Sequence, residues 1–417
     1  MKIFNLRMML ASTVLAGAVM APVSLWAAGY QKQGRCITLS LPAKPKQAKT
    51  VRLTIVSDNI IRVEATPEDA IPQKRKSLVV VNREGKYTAD VKEDDRMVTV
   101  ETAAIIAKVE KQTGKLTFID KTTGKVLLQE ADGSKTFTKY VSNQTELPEN
   151  YRPTSPDEVN WGKKTDLYKL SLEDRSGYSW HALFESDADE AFYGLGQHQS
   201  EEMNYKGRNE ELFQYNTKVA IPFVVSNKNY GILWDSYSYG RWGNPNNYLQ
   251  LHRAFKLYDK NGRQGSLTGT YTEESGKVIE RREDSLYDEH SGVVGLLPQN
   301  INLGKSNVVY QGEIEAPATA KYRFILYYSG YVKVYMGGRL VVPERWRTAW
   351  NPNAYKFEVD LKKGERTPLR VEWQPDGGVA YCGLRAATPQ SEAEQSRMSI
   401  WAEMDKEMDY YFIAGNS

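Results

Sequence analysis

Apolar residues recur at every second position over much of this chain, and that alternation constrains its fold more than any other feature. After Thr50, Val51, Leu53 and Ile55 alternate with polar neighbours; Ile61, Val63 and Ala65 repeat the pattern beyond Asp58-Asn59. A two-residue period puts successive side chains on opposite faces of an extended strand. A short apolar run follows at 78–81. Then Val98-Thr99-Val100 and the segments 105–110, 116–119 and 126–128 are punctuated by Thr113-Gly114 and Thr123-Gly124, which predicts an antiparallel meander. Glycines 114 and 124 supply the positive φ that tight hairpins need. No stretch carries a long helical period. The chain is therefore expected to be all-β, and without a visible repeat a solenoid or propeller is disfavoured.

The segment 146–164, with Pro148, Pro153 and Pro156, reads as a long loop. Strands are expected at 167–172 and 178–184, and a hairpin at 221–225 and 230–234 closed by Asn227-Lys228-Asn229. Composition shifts near Gly240. A separate strand set then follows at 306–311, 320–328, 332–335, 339–342, 355–359 and 368–373, the pattern of a second sandwich. Strand pattern returns at 396–401 and 408–413.

Lys2 and Arg7 precede an apolar run, 8–23, and then Ala27-Ala28: a secretory signal peptide over 1–28, with an uncleaved anchor as the alternative. An exported, periplasmic or cell-surface protein is expected, with no membrane contact beyond that signal. Gly34-Arg35-Cys36 lacks the apolar residue of a lipoprotein signal. Two cysteines, Cys36 and Cys382, exclude a disulfide framework. A formal net charge of +3, which includes Lys2 and Arg7, gives no electrostatic case for nucleic acid or anionic membrane. Mixed runs such as Lys362-Lys363-Gly364-Glu365-Arg366 read as solvated surface.

Chemistry-bearing motifs are scarce. His181, His198, His252 and His290 are scattered, so no metal site is expected, and no cofactor motif is present. There is no Gly-x-Ser-x-Gly elbow. Gly194-x-Gly196 reads as a tight bend. Adjacent Glu201 and Glu202 would face opposite sides of a strand, whereas Asp235, after Trp234 at a strand end, is better placed for a functional carboxylate; its plainer reading is a turn or capping residue. No catalytic residue is assigned.

The densest stretch holds Phe192-Tyr193-Gly194-Leu195-Gly196-Gln197-His198, Gln214-Tyr215-Asn216-Thr217, Ile221-Pro222-Phe223-Val224-Val225-Ser226 and Tyr230-Gly231-Ile232-Leu233-Trp234-Asp235. Together with Thr113-Gly114-Lys115-Leu116-Thr117-Phe118 upstream, these resemble the N-terminal sandwich of glycoside hydrolase family 31, which includes α-glucosidases and α-xylosidases. The resemblance implies a galactose-mutarotase-like β-sandwich over 29–261, completed by 396–417. It also implies that Asn216 and Thr217 line the sugar site, Asn216 standing where the family usually has Asp. Taken alone, Asn216 is an ordinary turn asparagine.

Residues 262–395 resemble a different module, the carbohydrate-binding β-sandwich named from anthrax protective antigen. The match lies in Val332-Lys333-Val334-Tyr335-Met336-Gly337-Gly338-Arg339-Leu340-Val341-Val342, Trp346, Leu369-Arg370-Val371-Glu372-Trp373 and Gly383-Leu384-Arg385. It implies a second sandwich inserted in the first. Ser329-Gly330 and Gly337 stand where calcium-binding members carry Asp, so sugar contact is expected from aromatic stacking, with Tyr331, Trp346 and Trp350 as the candidates.

In family 31 the chemistry belongs to a (β/α)8 barrel of about 250 residues, for which this sequence shows no βα alternation. The expected reading is the non-catalytic N-terminal portion of an exported α-glycosidase, an α-xylosidase on xyloglucan-type oligosaccharides, whose partner is the barrel of the same enzyme. The rival readings are a stand-alone carbohydrate-binding protein and an inert fragment with an uncovered apolar face.

Overall fold

The computed structural model describes residues 29–73, 77–81, 87–140, 177–198, 202–214, 218–243, 248–286, 297–298, 300–348, 354–376, 380–387, 389 and 397–415. The leader at 1–28, the loop at 146–164 and the strand expected at 167–172 lie outside the described residues.

The alternation becomes strand wherever it is strict. In Thr50–Ser57, Val51, Leu53 and Ile55 are buried while Arg52, Thr54 and Val56 stay partly exposed. The run at 78–81 lacks that alternation, lies outside the sheets and leaves Leu78 and Val81 exposed.

A first unit contains three antiparallel sheets. The largest has eight strands, in spatial order Gln31–Gln33, Cys36–Ser40, Thr50–Ser57, Ile60–Thr66, Met408–Ala414, Tyr230–Trp234, Val219–Ser226 and Phe192–Gln197. The second runs Thr136–Lys139, Tyr178–Glu185, Arg397–Asp405, Gly240–Gly243 and Asn209–Leu212. The expected meander forms the third: Asp90–Glu93, Met97–Glu101, Ile105–Glu110, Leu116–Asp120 and Val126–Gln129. Its turns place Gly114 and Gly124 at φ of 69°, a conformation that carries no Cβ penalty in glycine. All three sheets contribute to one core, where Phe118 stacks on Phe412 at 4.1 Å.

The second unit is a separate sandwich with its own core. Tyr248–Gln250, Cys382–Ala387, Ala320–Tyr328 and Ala354–Leu361 form one sheet. The other runs Val278–Glu283, Leu267–Glu273, Ser306–Glu315, Arg366–Gln374, Gly330–Met336 and Arg339–Arg347, with Lys256–Asp259 also paired to Ser306–Glu315. Its core takes in Leu251, Phe255 and Leu257, ahead of residue 262. The chain thus leaves the first unit after Gly243, builds the second, and returns as Arg397–Asp405 and Met408–Ala414. Both returning strands are interior to their sheets: Arg397–Asp405 lies between Tyr178–Glu185 and Gly240–Gly243, and Met408–Ala414 between Ile60–Thr66 and Tyr230–Trp234. This is an all-β, galactose-mutarotase-like sandwich carrying a second β-sandwich.

Among the described residues the helical turns are Leu251–Ala254 and Leu303–Lys305, and no helix is long and apolar enough to cross a membrane. Cys36 and Cys382 form no disulfide with each other.

Candidate functional site

Two of the three aromatic candidates come together on the second unit. Tyr331 and Trp346 are cross-strand partners on Gly330–Met336 and Arg339–Arg347. Alternation sends Val332, Val334 and Arg347 inward and turns these two rings outward, 41% and 55% exposed. Their centroids are 6.5 Å apart with the planes tilted by 48°. Trp346 Nε1 donates to Asp376 Oδ2 at 2.6 Å, which pins the indole edge and leaves its face open. Such a pair offers adjoining flat apolar faces with a carboxylate at the rim, a surface suited to the C–H face of a sugar ring. Tyr328, by contrast, is buried in the core beside the Arg347 guanidinium. Trp350 lies outside the described residues.

Asn216 and Thr217 also lie outside the described residues, which stop at Gln214 and resume at Lys218. Gln214 spans the base of that segment: its Nε2 donates to the Lys218 carbonyl at 2.6 Å and its Oε1 accepts from the Ala220 N–H at 3.3 Å. A cavity of about 270 Å³ is lined by Phe213, Gln214, Pro222, Trp234, Tyr237 and Tyr239. Paired to Val219–Ser226, the strand Phe192–Gln197 carries a bulge between Gly194 and Gly196. Gly196 sits at φ 98°, and a Cβ there would lie 1.9 Å from the Val219 carbonyl oxygen. The expected tight bend is therefore a bulge inside a strand, which turns Leu195 into the core and Tyr193 outward.

Asp235 is buried at the end of Tyr230–Trp234, with its N–H donating to the Asp409 carbonyl at 3.0 Å. At 3% exposure it faces no open surface. Glu202 is described and Glu201 is not. No group of three or more His, Cys, Asp or Glu side chains is placed to hold a metal ion among the described residues.

One constellation gave no signal in the sequence. At the seam between the units, Lys356 of Ala354–Leu361 donates to the Asn209 carbonyl and lies 3.2 Å from Glu210 Oε2. Glu202 Oε2 is 3.7 Å from the same ammonium. Arg208 pairs with Glu358, which also accepts from Arg323 Nε at 3.0 Å. Burial opposes the charge on Lys356, yet Glu210 and Glu202 outweigh it and hold the ammonium above lysine's ordinary pKa. Burial raises Glu202 despite Lys356 and Arg208 nearby. Tyr355-Lys356-Phe357 reads as an ordinary half-exposed strand, and the partners are far away in sequence, so only the fold assembles this cluster.

An apolar strip completes the surface of interest. Val219, Ile221 and Val225 project from one face of Val219–Ser226, with Tyr193 beside Val225 on the neighbouring strand, and all four are exposed.

Residues 50–242 match the glycosyl hydrolase 31 N-terminal galactose mutarotase-like domain. The chain is 33% identical to the crystal structure of a GH31 α-xylosidase from Xanthomonas citri, with a TM-score of 0.78; the match covers 93% of this chain and 39% of that one. Among curated proteins, an α-xylosidase of Saccharolobus solfataricus is 43% identical over 77 residues, 16% of this chain and 10% of its own length. An uncharacterized family 31 glucosidase of Pseudescherichia vulneris is 26% identical over 204 residues, 49% of this chain and 36% of its own. The chain therefore spans well under half the length of each of these relatives.

Proposed function

We propose that this chain, whose residues 50–242 are an N-terminal domain of the glycosyl hydrolase 31 family, is the non-catalytic portion of an exported α-glycosidase of the α-xylosidase type. The observation that carries this reading is the match to the Xanthomonas citri α-xylosidase, which takes in both β units at once. The described residues hold strands and two short helical turns and no (β/α)8 barrel. In this reading the paired carboxylates of glycoside hydrolysis belong to such a barrel. The exposed strip Tyr193, Val219, Ile221 and Val225 is the face on which the barrel packs, an apolar patch of the kind that marks an interaction surface. Asn216 and Thr217 then reach the sugar at the barrel mouth.

The second unit is proposed to be the protective-antigen-like module, binding xyloglucan-type oligosaccharides through Tyr331, Trp346 and Trp350. Export is proposed from Lys2, Arg7 and the apolar run at 8–23. The exposed ring pair also favours a second reading, carbohydrate binding by this chain alone, because that pair belongs to the second unit and the apolar strip to the first. Calorimetric titration of the full chain with xyloglucan oligosaccharides, run beside an assay for release of xylose, tests both. Saturable binding without turnover is expected. Turnover by this chain would overturn the assignment of the chemistry to a barrel, and absence of binding would overturn the role of the ring pair.

A further inference from the structure

We propose that the seam between the two units is a second carbohydrate site, shaped for a single neutral sugar ring. The inference rests on the carbohydrate reading above. The seam holds an open cavity of about 290 Å³, just below the roughly 300–1,000 Å³ range of ligand pockets, with room for one pyranose ring. Its walls come from both units: Glu202 and Arg208 from the first, Arg323, Lys356 and Glu358 from the second, with Tyr248 where the chain passes between them.

The charges decide the ligand class. Glu202, Glu210 and Glu358 face Arg208, Arg323 and Lys356 in close pairs. An ionic ligand would have to displace one of these pairs and leave its partner uncompensated. A hydroxyl needs no such exchange, because it accepts from a guanidinium while donating to a carboxylate. Behind this wall Arg323 Nη1 and Glu202 Oε2 are shielded from water and have no hydrogen-bond partner among the described residues, Glu202 Oε2 lying 3.7 Å from the Lys356 ammonium. Tyr248 and Phe357 supply aromatic surface in the same wall.

The test is titration of the full chain with d-xylose and d-glucose, with d-glucuronate as the charged comparison, followed by calorimetry and by NMR of the sugar. Glu202→Gln and Arg323→Met are the seam variants, and Trp346→Ala reports on the ring pair. Neutral monosaccharide binding should weaken about tenfold in each seam variant, the loss of one charge-assisted hydrogen bond, and stay unchanged in Trp346→Ala. Glu202→Gln keeps the shape, and a thermal melt of each variant, run beside the titration, separates a lost contact from a lost fold. The proposal fails if wild type shows no saturable monosaccharide binding, if glucuronate binds better than the neutral sugars, or if the folded seam variants bind as wild type. Oligosaccharide binding that depends on Trp346 would survive any of those results, so the two readings fall separately.

Discussion

Tyr331 and Trp346 stand opposite each other on adjacent strands, ring centroids 6.5 Å apart, with both faces open to solvent. Neither ring holds up the core beneath it. Trp346→Ala and Tyr331→Ala should each weaken oligosaccharide binding by about 1–2 kcal/mol and shift stability by no more than about 0.5 kcal/mol. The double variant should lose less than the sum, because the rings share one ligand face. Calorimetry and thermal melts on the three proteins check this; equal losses of binding and stability would mean that the rings are structural.

Lys356 ties the units together from within. Its ammonium is charged in the fold and shared by Glu202, Glu210 and the Asn209 carbonyl. Lys356→Met removes the cation and leaves those carboxylates facing each other, at a cost of about 3 kcal/mol. Wild type is expected to unfold in one calorimetric transition and the variant in two, as the sandwiches uncouple. A single, unshifted transition in the variant would refute the coupling.

His181 provides a pH signature. Burial, with a smaller contribution from the Arg241 guanidinium, pushes its pKa down from 6.5 to about 4. The folded state therefore keeps the ring neutral where the unfolded chain already takes up a proton. Stability from this group is complete above pH 6.5 and is lost as pH falls toward 4, by about 3 kcal/mol in all. His181→Gln should flatten the pH dependence of the urea midpoint in that window. If the variant keeps the wild-type slope, other groups carry it.

Ile221→Lys and Val225→Lys target the apolar strip. Both side chains are exposed, so melting should change by less than about 0.5 kcal/mol, while binding of an apolar fluorescent dye should fall. Unchanged dye binding would place the sticky surface elsewhere.

A buried pair in the first unit gives a stability test independent of any ligand. Glu130 accepts from the Leu116 N–H and the Tyr410 hydroxyl, both at 2.9 Å, and from Lys135. Lys135→Met strands that carboxylate in the core and should cost about 3–5 kcal/mol, read from the urea midpoint.

What could be read in the sequence was local. Alternation at Val51, Leu53 and Ile55, glycines at 114 and 124, and the turn Asn227-Lys228-Asn229 each specify structure within a few residues, and each appears as expected. The solvated run 362–366 is exposed throughout. Lys356 has the same residue type as its neighbours in that run and the opposite fate, because its environment is made by Asn209 and Glu210 of the other unit. Outward orientation of Tyr331 and Trp346 likewise depended on register, which alternation alone leaves as a choice between two faces. Gly194 and Gly196 read as a bend since the bulge is defined only by the strand that opposes it.

The return of Arg397–Asp405 and Met408–Ala414 to the interior of their sheets has a consequence for synthesis. The ribosome delivers these strands last among the described elements, so the two sheets that receive them wait open, with unpaired edges on either side of each gap, while the second sandwich can already close. Such open edges are templates for pairing with other chains, and pairings this distant in sequence form slowly. A nascent chain stalled or clipped before Arg397 would carry a finished second unit on a first unit split down the middle. Its yield should then depend on holding chaperones more than on the intrinsic stability of either sandwich.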